Sequence, residues 1–236
     1  MTRMRRVGVL GGTFDPIHAG HLTVGLAARA ALGLEHVVVV PAHDPPHRPE
    51  HPRASAFHRF AMAALAVDSA PGLLLSEMEL AADEPSFTAT TMRRLHSQGF
   101  APAELFFIAG TDALAEIASW RDYPAILELC HFVAISRPAW PLATLRARLP
   151  ELASRMRTLD APAGSPGGER PAASVLSIFL VEHATPDVSS TEIRNRVREG
   201  LSIAGLVPPA VARHIQRHGL YHGAGADHWP PGRRDE

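Results

Sequence analysis

A short apolar run, Val7-Gly8-Val9-Leu10, is followed at once by Gly11-Gly12-Thr13-Phe14-Asp15-Pro16-Ile17-His18-Ala19-Gly20-His21, and an apolar helical pattern begins near Leu22. Strand, glycine turn and helix in that order aim backbone N–H groups and a helix N-terminus at an anion. His18 and His21 stand at that turn, spaced to put both rings on one side of the first helical turn. The segment reads as a phosphate-handling site; the plainer alternative is a glycine turn carrying two solvated histidines. A dinucleotide fingerprint fails on spacing, since no glycine follows Gly12 until Gly20, and a Walker loop fails because no Lys-Ser or Lys-Thr follows.

Composition narrows the partners. At 236 residues with 46% hydrophobic content the chain suffices for one α/β domain with a sizeable core. A net charge of −1 supplies no basic field, so nucleic acid is not the expected partner. The single cysteine, Cys130, excludes an intrachain disulfide and fits a reducing cytoplasm, and it reads as a buried inert thiol. No signal-peptide core follows the basic start, and no apolar run approaches membrane-spanning length. The fourteen histidines lack the spacing of a zinc site, so no protein-bound metal is expected.

Apolar runs alternate with helical patterns, which predicts a doubly wound, mainly parallel sheet with helices on both faces. Strands are expected at Val7–Leu10, Val37–Val40, Leu73–Leu75, Leu105–Ile108, Phe132–Ile135 and Val175–Val181. Helices are expected at Leu22–Leu32, Ser55–Val67, Thr88–Ser97, Ala113–Ile117 and Leu142–Met156. Residues 161–173 read as a surface loop, and the domain is expected to span 1–222, with 223–236 a disordered tail.

Further constellations fall at strand ends. Pro45-Pro46-His47-Arg48 follows the second strand, where open α/β sheets place ligands, and offers His47 and Arg48 to a phosphate; a rigid exposed loop is the alternative. Ser189-Ser190-Thr191-Glu192-Ile193-Arg194 follows the last strand. It is either a simple capping box or a set of hydroxyls, N–H groups and Arg194 converging on an anion. Thr88 opens a helix beside Ser86, and Asp112 follows Gly110-Thr111 at another strand end, where it meets a helix dipole or a nucleoside. Trp120 is either core or a flat platform for a ring.

Gly11–His21 matches the (G/S)-(T/S)-F-D-P-x-H-x-G-H signature of the nucleotidyltransferase superfamily. With the Pro-Pro-His-Arg loop, Pro85-Ser86-Phe87-Thr88, Gly110-Thr111-Asp112, Trp120 and Ser189–Arg194, the chain from Arg6 to Tyr221 resembles the bacterial nicotinate-nucleotide adenylyltransferases. That resemblance implies a Rossmann-like nucleotidyltransferase fold and adenylyl transfer from ATP to nicotinate mononucleotide in NAD biosynthesis. It assigns ATP to Gly11, Gly12, Thr13, Phe14, His18, His21, Asp112, Ser189, Ser190 and Arg194, with His18, His21 and Arg194 acting in catalysis. It assigns the mononucleotide to His47, Arg48, Thr88 and Trp120. Mg²⁺ is expected to come with ATP, and a homo-oligomer is left open. Arg48 stands where lysine is common in the family, and Arg121 follows Trp120 where some relatives carry an aromatic. The alternatives are an adenylyl- or cytidylyltransferase acting on nicotinamide mononucleotide or phosphopantetheine, and a nucleotide-binding module without catalysis.

Overall fold

A computed structural model of the chain describes residues 5–45, 52–82, 84–136, 140–159 and 175–223. Seven strands form one sheet: β1 (Val7–Gly12), β2 (His36–Pro41), β3 (Leu73–Leu75), β4 (Leu105–Gly110), β5 (His131–Ile135), β6 (Met156–Thr158) and β7 (Ile178–Val181). Their order is β3-β2-β1-β4-β5-β7-β6 and every pairing is parallel. The chain therefore winds outward from β1 through β2 to β3, then returns to lay β4 on the other flank of β1. That reversal opens a crevice between the carboxyl ends of β1 and β4, the place where open α/β sheets receive ligands.

Alternation along the central strands divides the interior into two cores. On one face Leu10, Val37, Val39, Phe106, Ile108 and Val133 pack with α1 (Ala19–Leu32), α2 (Ala56–Val67), α6 (Ser190–Arg198) and α7 (Pro209–Arg217). On the other, Val7, Val9, Leu105, Phe107 and Phe132 meet α3 (Thr88–Ser97) and α5 (Leu142–Arg148). Between β4 and β5 lie the one-turn helix α4 (Thr111–Leu114) and two 3-10 turns, Ile117–Ser119 and Ala125–Glu128. Gly8 shows how closely the layers meet, since a Cβ there would lie 2.8 Å from Val37 and 2.9 Å from Ile108 and Leu34.

Three expectations are corrected. The helix expected over Leu142–Met156 stops at Arg148, because Pro150 has no N–H to continue it. A 3-10 segment, Pro150–Arg155, follows and delivers Met156–Thr158 to the sheet as an edge strand that periodicity missed. The last strand begins at Ile178 rather than Val175, and the helix expected at Ala113–Ile117 is a single turn from Thr111 with a separate 3-10 turn at Ile117–Ser119. The loop over 161–173 and the segment 224–236 lie outside the described residues. No helix among the described residues is long and apolar enough to cross a membrane. Cys130 is buried, and burial pushes its thiol up to about 12, so it stays protonated and unreactive.

Two histidines couple the fold to pH. His131 is buried, stacks on Phe106 at 4.7 Å and accepts the Ser177 N–H at 3.0 Å; burial, then the Arg6 charge, lowers it to about 4. His214 of α7 shares a 3.1 Å contact with His58 of α2, while His218 packs on both rings at 4.4–4.9 Å. Burial, then the charges of His218, His58 and Arg217, lowers His214 to about 4 as well.

Both groups hold a proton less readily folded than unfolded, so their contribution is intact above pH about 6.5 and is lost as pH falls toward about 4. Glu79, whose carboxyl burial raises, works weakly against this trend at the acid end. The thermal midpoint is therefore expected to fall between pH 7 and 5, and His214→Gln to make that fall shallower. A midpoint flat across the interval, measured by calorimetry, contradicts the assignment.

Candidate active site

β1 ends in Gly11-Gly12, and the chain then turns through Phe14, a non-glycine residue at φ 51°. That left-handed geometry is uncommon for a bulky side chain and persists only where the surroundings hold it. Phe14 is buried, its ring meets His21 edge-on at 4.9 Å, and a Cβ at Gly12 would come within 2.9 Å of it. Glycine is therefore required there by close approach.

α1 begins with His18 as its N-cap and His21 in its first turn. The two rings stack at 3.7 Å, and the His18 N–H donates to His21 Nδ1 at 3.2 Å. The expected juxtaposition of the two rings is thus realised, with one difference. They do not stand solvated on a surface, because His18 is only 3% exposed.

A buried polar knot holds this turn in place. Arg59 of α2 is 1% exposed, and its guanidinium donates to the carbonyls of Thr13 (2.7 Å), Ala42 (2.5 Å), His43 (2.9 Å) and Ala54 (3.3 Å). Asp15, also buried, accepts the backbone N–H groups of Arg53 (2.8 Å) and Ala54 (3.1 Å) and the Tyr221 hydroxyl (2.9 Å). From α6, Arg194 donates to the Asp15 carbonyl at 2.8 Å and Ser190 Oγ to the Pro16 carbonyl at 3.0 Å. Burial and the neighbouring Asp15 carboxylate raise the Tyr221 phenol well above its ordinary range, which keeps it a donor.

In front of the knot lies a cavity of about 340 Å³, open to solvent at the crevice between β1 and β4. Nine of the residues expected to bind ATP or the mononucleotide line it: Gly11, Gly12, Thr13, Phe14, His21, Ser190, Asp112, Thr88 and Trp120. Among the described residues, His18, Ser189 and Arg194 are not part of the lining. His18 backs His21, Ser189 caps α6 by accepting the Glu192 N–H at 3.1 Å, and Arg194 bridges Asp15 and Thr191. His47 and Arg48 lie outside the described residues.

The cavity has two chemically different ends. One carries the glycine turn, His21 and Ser190, where backbone N–H groups, an imidazole and a hydroxyl suit an anion. The other is walled by Thr88 and by Trp120, whose indole packs edge-on against Phe107 at 5.7 Å. Trp120 is therefore both half-buried support and cavity wall. Among the described residues no group of three or more His, Cys, Asp or Glu is placed to hold a metal ion.

Sequence reasoning assigned no role to Arg59 or Glu79 and gave none to Asp15 or Tyr221 beyond their motifs. Arg59 had a legible signal: it shares the buried stripe of α2 with Met62, Ala63 and Ala66, where a charge is out of place unless it is paired inside. Glu79 lines the cavity and accepts from the Thr91 hydroxyl at 2.5 Å, behind the wall that carries Thr88.

The cytidylyltransferase-like family model matches residues 9–196. A Desulfatibacillum aliphaticivorans protein named "Probable nicotinate-nucleotide adenylyltransferase" is 37% identical over 225 residues, covering 92% of this chain and 99% of its own. A Roseiflexus castenholzii protein of the same name is 37% identical over 218 residues, covering 92% and 98%. Among solved structures, the Plasmodium falciparum nicotinic acid mononucleotide adenylyltransferase complexed with NaAD superposes with a TM-score of 0.66 at 17% identity, over 92% of this chain and 97% of that one.

The knot makes a graded prediction. Tyr221→Phe removes one donor from an acceptor that keeps two others and is expected to cost about 1 kcal/mol of stability. Arg59→Met leaves several buried carbonyls without their donor and is expected to cost about 3 kcal/mol or more. Urea unfolding of both variants checks the order, and equal costs would contradict it.

Proposed function

The chain belongs to the nicotinate-nucleotide adenylyltransferases of the cytidylyltransferase-like family, and from that premise we propose that it transfers the adenylyl group of ATP to nicotinate mononucleotide. The observation that carries this reading is the two-ended cavity. Anion donors gather at the β1 turn, and a flat aromatic wall with hydroxyls stands at the other end, across the β1–β4 crevice.

In the proposed reaction a phosphate oxygen of the mononucleotide attacks the α-phosphorus in line. The bond from that phosphorus to the α–β bridging oxygen breaks, and pyrophosphate leaves with the electron pair. Such a displacement asks the protein for positioning and charge stabilisation rather than for a nucleophile. His21, backed by His18, is proposed to stabilise charge on the α-phosphoryl oxygens, with the Gly11–Thr13 backbone approaching the same group. Phe14, packed on the His21 ring, would hold it for that contact.

Ser189, Ser190 and Arg194 are proposed for the leaving end, Asp112 for the nucleoside, His47 and Arg48 for the phosphates between the substrates, and Thr88 with Trp120 for the pyridine ring. An Arg194 in this role would divide its donors between substrate and the Asp15 carbonyl it already holds. Magnesium is proposed to enter as part of the ATP complex, keeping its waters and neutralising phosphate charge. That arrangement requires no cage of protein carboxylates.

Pyrophosphate release from Mg-ATP with nicotinate mononucleotide, compared with nicotinamide mononucleotide, tests the reaction and its acceptor. His18→Ala and His21→Ala are each expected to lower turnover by on the order of a hundred-fold. Trp120→Ala is expected to raise the KM of the mononucleotide more than that of ATP. Unchanged turnover in either histidine variant removes that residue from the mechanism, and an equal KM change for both substrates makes Trp120 core alone.

A further inference from the structure

The Thr88 wall of the cavity contains a charge that the proposed chemistry does not use. Glu79, in the turn that follows β3, is only 7% exposed, and it lines the cavity together with Ser86, Thr88 and Thr91. Among the described residues no salt bridge reaches it. Arg94, whose charge favours the ionised form from nearby, is itself paired with Glu84 at 3.3 Å. Burial raises the Glu79 carboxyl above its ordinary range, so holding it ionised at neutral pH costs the fold stability.

What this carboxylate does is accept. Thr91 Oγ1 of α3 donates to Glu79 Oε1 at 2.5 Å, and the Ser86 hydroxyl hydrogen-bonds the same side chain. An ionised carboxylate has no proton to offer, so both hydroxyls must turn their hydrogens toward it. The lone pairs of Ser86 Oγ are then left for the His43 N–H, which donates to it at 2.9 Å. The Ser86 N–H donates to the Asp44 carbonyl, also at 2.9 Å. His43 and Asp44 belong to the segment leaving β2, whose Ala42 and Pro45 line the same cavity.

Glu79 thus stands where three pieces of chain meet: the turn after β3, the first turn of α3 and the segment after β2. Thr88 lies between Ser86 and Thr91 in sequence, so the two anchored hydroxyls bracket it. An amide in place of the carboxylate offers donors as well as an acceptor, and at least one hydroxyl is then free to turn away.

We propose that Glu79 is a positioning residue whose carboxylate orients the Ser86 and Thr91 hydroxyls and so holds the β2 segment and the α3 wall at the spacing the mononucleotide needs. This rests on the adenylyl-transfer reading above, with Thr88 and Trp120 at the mononucleotide's end. Such a role accounts for a buried charge that an amide of the same shape could replace at no loss of stability.

The test compares wild type, Glu79→Gln, Ser86→Ala and the double variant, each as the full chain with Mg-ATP and nicotinate mononucleotide at neutral pH. Glu79→Gln is expected to raise the KM of the mononucleotide about ten-fold, the scale of one hydrogen bond to a charged group. The KM of ATP and kcat are expected to change less than about two-fold. Its thermal midpoint is expected at or above that of wild type. Ser86→Ala is expected to show the same split between substrates. The double variant is expected to add little beyond Glu79→Gln, because the two residues act through one contact.

A mononucleotide KM that neither single variant moves overturns the proposal, as does an equal rise in the KM of ATP. A lower midpoint with kcat falling alongside, or failure of Glu79→Gln to fold, makes Glu79 a brace of the fold and also overturns it. Full additivity in the double variant removes Ser86 from the path and does the same. Absence of pyrophosphate from wild type is a separate outcome: the adenylyl-transfer reading itself then fails, and the role of Glu79 in it falls too.

Discussion

The turn after β1 is both irregular and buried, and every polar backbone group in it has to find a partner that no strand or helix supplies. Arg59 is the principal answer. One guanidinium collects the carbonyls of Thr13, Ala42, His43 and Ala54, joining the turn after β1 to the end of β2 and the start of α2. Asp15 is its acidic counterpart, gathering two backbone N–H groups and the Tyr221 hydroxyl. The carbonyls of Asp15 and Pro16 go to Arg194 and Ser190 of α6, while the Ala19 N–H reaches the Leu206 carbonyl at 2.9 Å. A buried network of this kind is stable only when complete, because each unmet group costs its full desolvation. The glycine turn is thus held by α2, α6 and the C-terminal segment together.

That dependence explains why residues so far apart in the chain converge on one place. The order in which strands are added reverses between β1 and β4, which pair only over Val7–Val9, so their carboxyl ends splay and leave a crevice. Gly11 and Gly12 at the end of β1 and Gly110 at the end of β4 keep the walls thin there. α6 then brings Ser190 across from the far part of the chain, and it does so through the same hydrogen bonds that complete the turn. Docking of α6 and completion of the turn after β1 therefore rest on the same hydrogen bonds.

The doubly wound sheet was legible because its buried strands are continuous β-branched and aromatic runs, such as Val37–Val40 and Leu105–Ile108, that admit little else. The site was legible where chemistry and local geometry coincide, as at His18 and His21, whose spacing on a helix start fixes their stacking. What escaped was set by tertiary contact. Met156–Thr158 is too short and too polar for periodicity to find, and becomes a strand only because β7 offers it an edge. The local pattern at Ser189 could not separate a cap from an anion ligand; in the fold its hydroxyl accepts from Glu192, leaving Ser190 beside the cavity. Arg59 stood inside an apolar stripe, and its partners are carbonyls, which carry no sequence signature at all.

The two ends of the cavity are held by different kinds of interaction, and this difference has a functional meaning. The turn that carries His18 and His21 is fixed by buried hydrogen bonds to backbone atoms, where a single loss is expensive and the geometry has no latitude. The Thr88–Trp120 end is bordered by exposed contacts, the Arg93–Asp122 pair and Arg121 on Phe87. Exposed pairs contribute little to stability, so residues there can change with little effect on the fold. A phosphoryl-transfer centre needs one arrangement for every substrate it serves, whereas acceptor choice needs only modest differences in charge and shape. With the buried network under the glycine turn and exposed contacts around the Thr88–Trp120 end, the second end can change in sequence without disturbing the first.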